Sequence, residues 1–429
     1  MTPAPDTAPE ICIAWLNVHG GAFHKLIRLH EALGAAGLTS ELYFSTCPPR
    51  GLKAGAEPGS DLSPDAKADL ERRGVFLLPR QEVLRRVEAS RARLLLTDAH
   101  HDPDLPGLIA KARARGAITA QMATLLGDFT CHGAEHLLLQ HPLTLFFELE
   151  FNRTSESRRF FEAASVTFTG NIFFEPTSNM LHGGHASRED FFGKYGFDPG
   201  RPLLLWLPSA PDVRDESYGQ VAQAARNAGY NLAAKLHPWE YAFKKHGPPH
   251  PWGLEQSSDK LWGVTAVDEA DTTWAYHFCD AAILRASAMS LEMPFWRRPS
   301  LILPSSVLPE YFNAQAAMVA SCSVRLPSAQ ALEDFLATRP LPEFQAKDYA
   351  RAQAATRLDL VHDAYELTVQ ALARLLKGDT PQRLSPAALR RLYDPHVTPE
   401  LMRSLRPTRR LRALAGRLWR GLSNPSAAR

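Results

Sequence analysis

The sequence predicts an α/β protein built from two Rossmann-like, doubly wound domains that face a central cleft, with a basic amphipathic helix at the C-terminus. Three observations predict it. Short apolar runs alternate with helix-length stretches twice over, and 429 residues exceed the size at which one core stops growing. The composition then changes sharply after Arg403. With 45% apolar and 22% charged residues, the body has an ordinary globular composition, which excludes a fibrous or largely disordered class.

Residues 1–10 are Pro-rich and acidic and read as a disordered N-terminus, without the basic and apolar regions of a secretory signal. Ile11 to Val18 reads as a buried strand, which Asn17-Val18-His19-Gly20-Gly21 turns into a helix running to about Gly37. Strand-like runs follow at Leu42 to Ser45, Val75 to Leu78, Leu94 to Thr97 and Ile118 to Met122, with Pro48 to Pro64 as a surface loop. After Gly170-Asn171 the rhythm restarts. Pro202 to Leu207 is the clearest strand, followed by Asn231 to Leu236, Ala281 to Leu284 and Ser300 to Leu303. Tyr349 to Leu376 has a long helical pattern. The expected domains are residues 11–175 and 195–348, with the crossing near residues 170–200, then C-terminal helices over 349–402 and the basic tail over 403–429.

A net charge of +2 gives no global field for nucleic acid. The five cysteines are odd in number, scattered and without zinc-like spacing, so they read as reduced core residues and no metal site is expected. No window approaches eighteen uninterrupted apolar residues, so a spanning helix is not expected, and the chain reads as cytoplasmic.

Ligands of open parallel sheets bind beyond the carboxyl ends of strands, where loops enter helix N-termini that attract anions. That rule selects four loops. In Arg285-Ala286-Ser287-Ala288-Met289-Ser290-Leu291-Glu292, Ser287 and Ser290 can donate to phosphate oxygens, Arg285 can neutralise charge, and Glu292 can accept from ribose hydroxyls. The same residues also suit an N-cap and a first-turn acid. In Lys235-Leu236-His237-Pro238, proline can open a helix, and His237 can serve as a general acid or as a cationic partner for a leaving phosphate. It also suits a structural, hydrogen-bonded histidine. Asn17, His19, Gly20 and Gly21 lack a dinucleotide fingerprint and suit acceptor contact or a plain tight turn. In the fourth loop, around Gly127 to Gly133, Asp128 or His132 can be the base that activates an acceptor hydroxyl.

Taken together, Lys235-Leu236-His237-Pro238, the stretch containing Asp280, Ser287 and Glu292, and Arg298-Pro299-Ser300-Leu301-Ile302 resemble the C-terminal domain of GT-B transferases. The likeness is to bacterial surface-polysaccharide enzymes, namely CDP-glycerol glycerophosphotransferases and capsule glycosyltransferases, over roughly residues 195–305. It implies an acceptor domain followed by a nucleotide-donor domain. Donor phosphate would be bound by Ser287 and Ser290 with Lys235, Arg285 and Glu292 around it, and His237 would stand beside the donor. The reaction would need no metal or cofactor, the nucleotide-activated donor being a substrate. Leu284-Arg285-Ala286 replaces the acidic-aromatic approach of that family and no paired serine follows, which leaves CDP-glycerol and a sugar nucleotide both open as donor.

From Arg403 to Arg429 there are eight arginines and no acid, with Leu411, Leu414, Leu418 and Leu422 at helical spacing beside Trp419. Such a helix suits peripheral contact with an anionic inner membrane face near a lipid-linked acceptor, or packing of its leucines on the body. The leading reading is transfer of a glycosyl or glycerophosphoryl group to a bacterial surface glycan or lipid-linked acceptor. A sugar-nucleotide 2-epimerase, which would need acidic residues across the cleft, and a catalytically inactive GT-B-like binding scaffold are the alternatives.

Overall fold

The computed structural model describes residues 8–16, 20–46, 62–99, 102–123, 131–140, 142–146, 149, 165–170, 172, 187–208, 217–247, 254–285, 287, 289, 293, 296–304, 323–344 and 364–397. The chain begins β1 (Ile11–Trp15), α1 (Gly20–Ala35), β2 (Ser40–Ser45), α2 (Pro64–Arg72), β3 (Val75–Leu78), α3 (Arg80–Ala89), β4 (Leu94–Asp98), α4 (Leu105–Ala114), β5 (Ile118–Met122), β6 (His136–Leu139), α5 (Pro142–Phe146) and β7 (Ser165–Phe168). It continues α6 (Arg188–Tyr195), β8 (Leu203–Leu207), α7 (Ser217–Asn227), β9 (Asn231–Ala234), α8 (Pro238–His246), α9 (Ser258–Trp262), β10 (Thr265–Ala266), α10 (Thr272–Phe278), β11 (Ala281–Leu284), β12 (Ser300–Ile302), β13 (Ser323–Arg325), α11 (Ala329–Thr338), α12 (Ala364–Leu376) and α13 (Pro386–Tyr393).

Among the described residues every strand pairs in parallel. The strands form two sheets, ordered β3-β2-β1-β4-β5-β6-β7 and β10-β9-β8-β11-β12-β13. In each sheet the chain winds outward in one direction, returns to the middle and winds outward in the other. The reversal falls between β1 and β4 in the first sheet and between β8 and β11 in the second. Four strands go beyond the sequence expectation: β6, β7, β10 and β13.

Two compact units contain these sheets. The first comprises Met1–Pro176, Pro238–Ser257 and Arg357–His396; the second comprises Thr177–His237, Ser258–Thr356 and Val397–Arg429. In the first unit, β1 is buried along its whole length because helices cover both faces of the sheet, the setting in which strands read as unbroken apolar runs. On one face Leu26, Leu29 and Leu33 form the stripe of α1 that meets Ile11, Ile13, Leu42 and Phe44. Each such leucine contributes about 1.5–3 kcal/mol by leaving water. Leu372, Leu375 and Leu376 of α12 join the same core from the far end of the sequence. Arg93 fastens that helix by donating from Nη2 to the Leu376 carbonyl at 2.6 Å, and the Arg28 guanidinium lies 4.4 Å from the Tyr365 ring centre. Val83 and Val87 of α3 and Leu105, Leu108 and Ala112 of α4 cover the opposite face.

The second unit packs Phe191, Phe192 and Phe197 against Leu203, Leu205 and Leu207 of β8. Local chemistry sets the entry to that strand. Ser187 and Asp190 form a reciprocal capping box at the start of α6, and Gly196 ends the helix at a φ of 68°, where a side chain is strained. The Asn231 amide then accepts from Asp198 N at 3.0 Å and donates to the carbonyls of Asp198 and Arg201, tying the loop before β8 to the start of β9.

His136, the first residue of β6, is buried with Nδ1 2.5 Å from Ser165 Oγ on β7. Burial lowers its pKa and outweighs the opposing charge of Glu135, with a smaller push in the same direction from Arg383. The native state therefore keeps the imidazole neutral while the unfolded chain takes up a proton below about pH 6.5. Stability contributed by His136 is complete above that pH and is lost as pH falls through it, with a slope of at most about 1.4 kcal/mol per pH unit. Urea denaturation at several pH values should show the gap between wild type and His136→Asn shrinking as pH drops from 7 to 5; a constant gap would contradict a neutral buried imidazole.

Candidate functional site

The carboxyl ends of β8 and β11 frame the reversal point of the second sheet, the position at which open parallel sheets bind ligands. Arg285 and Ser287 stand there. Leu303 N donates to the Leu284 carbonyl at 2.9 Å, which fixes the end of β11 against its neighbour. Arg285 follows immediately and is only 6% exposed. Ser287 Oγ accepts from Met289 N at 3.3 Å, and Met293 N donates to the Met289 carbonyl at 3.0 Å, so an α-helical turn begins at this bend with Ser287 as its cap. A hydroxyl that accepts a capping bond still has its own proton to donate. Ser290 and Glu292 lie outside the described residues.

On the other side of β8, Lys235 N donates to the Trp206 carbonyl at 3.0 Å, carrying the β9 ladder one residue past the strand. Leu236 is buried, His237 is half-buried, and Pro238 opens α8 at a position where no N–H donor is needed. The strands that deliver Lys235-His237 and Arg285-Ser287 flank β8, which sets them about 10 Å apart at one edge of one sheet. The chain leaves the second unit between His237 and Pro238 and re-enters it at Ser258.

The first unit has its own reversal point, between β1 and β4. Gly20 and Gly21 open α1 after β1, while Asn17, His19 and Asp128 lie outside the described residues. His132 is half-buried, and its backbone N–H donates to Gln121 Oε1 at 2.8 Å. Cys131 Sγ reaches the same oxygen at 3.3 Å, and Gln121 Nε2 donates to the Asp98 carbonyl at 2.9 Å. One buried glutamine thus couples the Cys131–Gly133 element to the end of β4.

Asp98, the last residue of β4, has a side chain with no exposure and was not among the sequence candidates. A signal was present: Leu94-Leu95-Leu96-Thr97-Asp98 is an apolar strand that ends on an acid, at the edge where ligand groups gather. Beyond it, Arg80 pairs with Asp102 and, at 2.7 Å, with Asp104. Burial works against the Arg80 charge, but the two carboxylates outweigh it and raise its pKa. Among the described residues, no group of three His, Cys, Asp or Glu side chains is arranged to hold a metal ion. Cys12 and Cys279 are buried, and burial pushes each thiol up to about 12.

Asp280, grouped with Ser287 in the sequence likeness, sits at the amino end of β11, the opposite edge of the sheet. Its Oδ2 accepts from Leu203 N at 2.7 Å and from Arg188 Nη2 at 3.1 Å, and Arg188 also donates to the Phe278 carbonyl. This carboxylate closes the start of β8. An open depression of about 540 Å³ that includes Ile118 and Glu135 likewise lies at an amino edge, that of β5 and β6. Asp280→Ala should lower unfolding stability by about 1–2 kcal/mol, since a partly exposed charged acceptor of a backbone N–H is removed. Urea denaturation measures that loss; a variant as stable as wild type would remove Asp280 from this anchoring role.

No protein-family profile matches the chain, and no curated protein sequence does. Solved structures do. The chain is similar to the UDP-GlcNAc 2-epimerase from Neisseria meningitidis bound to UDP-GlcNAc, at a TM-score of 0.53 and 11% identity over 85% of this chain and 99% of that one. It is similar to S. aureus MnaA in complex with UDP, at a TM-score of 0.52 and 14% identity over 88% of this chain and 100% of that one. The glycotransferase of kitacinnamycin gives 0.51 and 13% over 86% and 100%. Likeness at such identities speaks to architecture, and the chain has the GT-B-like fold of two parallel-sheet α/β units.

Proposed function

We propose that the chain transfers a glycosyl or glycerophosphoryl group from a nucleotide-activated donor to a hydroxyl of a surface glycan or lipid-linked acceptor. The observation that carries this reading is the Arg285–Ser287 bend at the reversal point of the second sheet, a buried cation beside a capped helical turn. Two of the similar structures hold UDP and UDP-GlcNAc, which supports a nucleotide diphosphate as the occupant.

In this reaction the acceptor oxygen attacks the anomeric carbon, or the phosphorus of a glycerophosphoryl donor, and a base takes its proton. His132 and Asp128 are the candidates for that base. The bond to the nucleotide phosphate oxygen breaks, and the departing nucleotide carries the bonding pair. Arg285 and the Ser287 hydroxyl stabilise the charge that develops there, with Lys235, Ser290 and Glu292 completing donor binding. His237 serves as a cation beside the leaving group or protonates it. Asn17, His19, Gly20 and Gly21 face the acceptor, and the tail over residues 403–429 rests on an anionic membrane.

A thermal-shift series with CDP-glycerol, CMP-Kdo, UDP-sugars and GDP-sugars should show one base raising the melting temperature, because a ligand at a hundred times its Kd stabilises by about 2.7 kcal/mol. With that donor, Ser287→Ala and His237→Ala should each cut turnover about ten- to hundredfold while still unfolding cooperatively, Ser287→Ala losing about 1 kcal/mol with its cap. Full turnover in both variants would sink the site.

Asp98 favours a second reading, a sugar-nucleotide 2-epimerase, because isomerisation needs acid–base carboxyls in the first unit. Inversion by proton removal and return exchanges the carbon-bound hydrogen with solvent. Incubation of the UDP-sugar in D2O without an acceptor separates the two readings. Deuterium appearing on the sugar ring, and lost in Asp98→Asn, would replace transfer with epimerisation.

A further inference from the structure

We propose that the amino edge of the first sheet, between β4 and β6, docks on the anionic phospholipid headgroups of a membrane surface. The proposal goes beyond the transfer reading and does not depend on it.

The loops that lead into β4, β5 and β6, together with the end of α12, all emerge at this edge. Arg91 and Arg93 precede β4, Arg113 and Arg115 precede β5, Lys377 follows α12, and Arg383 lies near enough to His136 to lower its pKa. Two further cations are matched to acids here, Lys111 to Glu88 at 2.5 Å and Arg374 to Asp379 at 2.8 Å. Glu10 lies 3.9 Å from Arg93 and Glu135 lies 3.8 Å from Arg113. Eight basic side chains thus face four acidic ones. Arg91, Arg115, Lys377 and Arg383 are exposed and make no salt bridge to a carboxylate among the described residues. Arg115 instead donates to the Val87 and Glu88 carbonyls at the end of α3, which fixes its charge in place.

The whole chain nets only +2, and the tail alone carries eight arginines. Everything outside the tail and this edge therefore nets ten negative charges, so the cations are segregated and not interspersed. The β2–β3 end of the same edge is mixed, with Arg72 on Asp69 and Arg73 on Glu31. Beside the cations lies the open depression of about 540 Å³, lined by Ala110, Ala114, Gly116 and Ala117 with Arg113 and Glu135. No aromatic ring lines it, whereas single-stranded nucleic acid is held by bases stacked on aromatic side chains. Small residues and dispersed cations suit phosphate headgroups, each arginine or lysine adding about fivefold to the partition onto an anionic bilayer.

Co-sedimentation of the full chain with phosphatidylcholine vesicles, with and without phosphatidylglycerol, tests this without donor or turnover. Wild type should bind only the anionic vesicles. The triple variant Arg91→Gln, Lys377→Gln, Arg383→Gln, whose side chains are exposed, should melt like wild type and bind on the order of a hundredfold more weakly. Should the triple variant melt early, Arg91→Gln with Arg383→Gln carries the test, with a loss of about twenty-fivefold. Four results would overturn the proposal: no binding by wild type, unchanged binding in the variants, displacement by low inorganic phosphate at matched ionic strength, or equal sensitivity of single-stranded oligonucleotide binding to the same substitutions.

Discussion

Parallel pairing is the constraint from which the rest of this structure follows. Strands that all point one way deliver every strand-to-helix loop to one edge of the sheet and every helix-to-strand loop to the other. With β1 and β8 inside their sheets, the chain must wind outward, return, and wind outward again. The two helices that leave the central strands then diverge to opposite faces and open a crevice at the carboxyl edge. Strands such as Leu203–Leu207, buried along their whole length, leave no room for polar chemistry within the sheet. Polar side chains of the second unit, Lys235, His237, Arg285 and Ser287, accordingly start where its strands stop.

The two edges hold polar groups for different physical reasons. At the amino edge the groups that flank the strand starts bond within the protein itself. Asn231 saturates three backbone groups, Asp280 accepts the first N–H of β8, and His136 meets Ser165 across β6 and β7. Of these, His136 and Ser165 are buried, and an unpaired buried polar group costs about 1–3 kcal/mol. Asp280 and Ser287 are close in sequence, yet the four-residue strand between them spans about 13 Å and sends them to opposite edges. A motif that joins such residues mixes groups from opposite edges of the sheet.

Most of the fold was legible because buried parallel strands write themselves as apolar runs. Val75–Leu78, Ile118–Met122 and Ala281–Leu284 have the same bounds in sequence and structure. The strands that were not legible lack that signature. β13 is Ser323-Val324-Arg325, half-exposed at the end of its sheet, and β10 is two residues long. β6 and β7 each present four residues beginning with a polar one, too short for a period to emerge. In the site, the position of the Arg285–Ser287 loop could be read because the end of β11 could be read. Asp98 was overlooked because an acid at the end of an apolar run looks like the first residue of a solvated loop, and only burial separates the two. The link from Gln121 to both Asp98 and His132 joins elements that no local pattern connects.

If the second unit grips a nucleotide diphosphate as proposed, transfer and isomerisation differ in what the first unit's carboxyl edge must supply. An acceptor hydroxyl belongs to a second, bulky molecule, so the base that deprotonates it must be reachable from solvent. His132, half-buried with its backbone anchored on Gln121, meets that requirement. Asp98, with no exposed surface, is better suited to a proton exchanged with a small, enclosed group. Access therefore separates the two proposed roles, because a large acceptor can reach His132 and cannot reach Asp98.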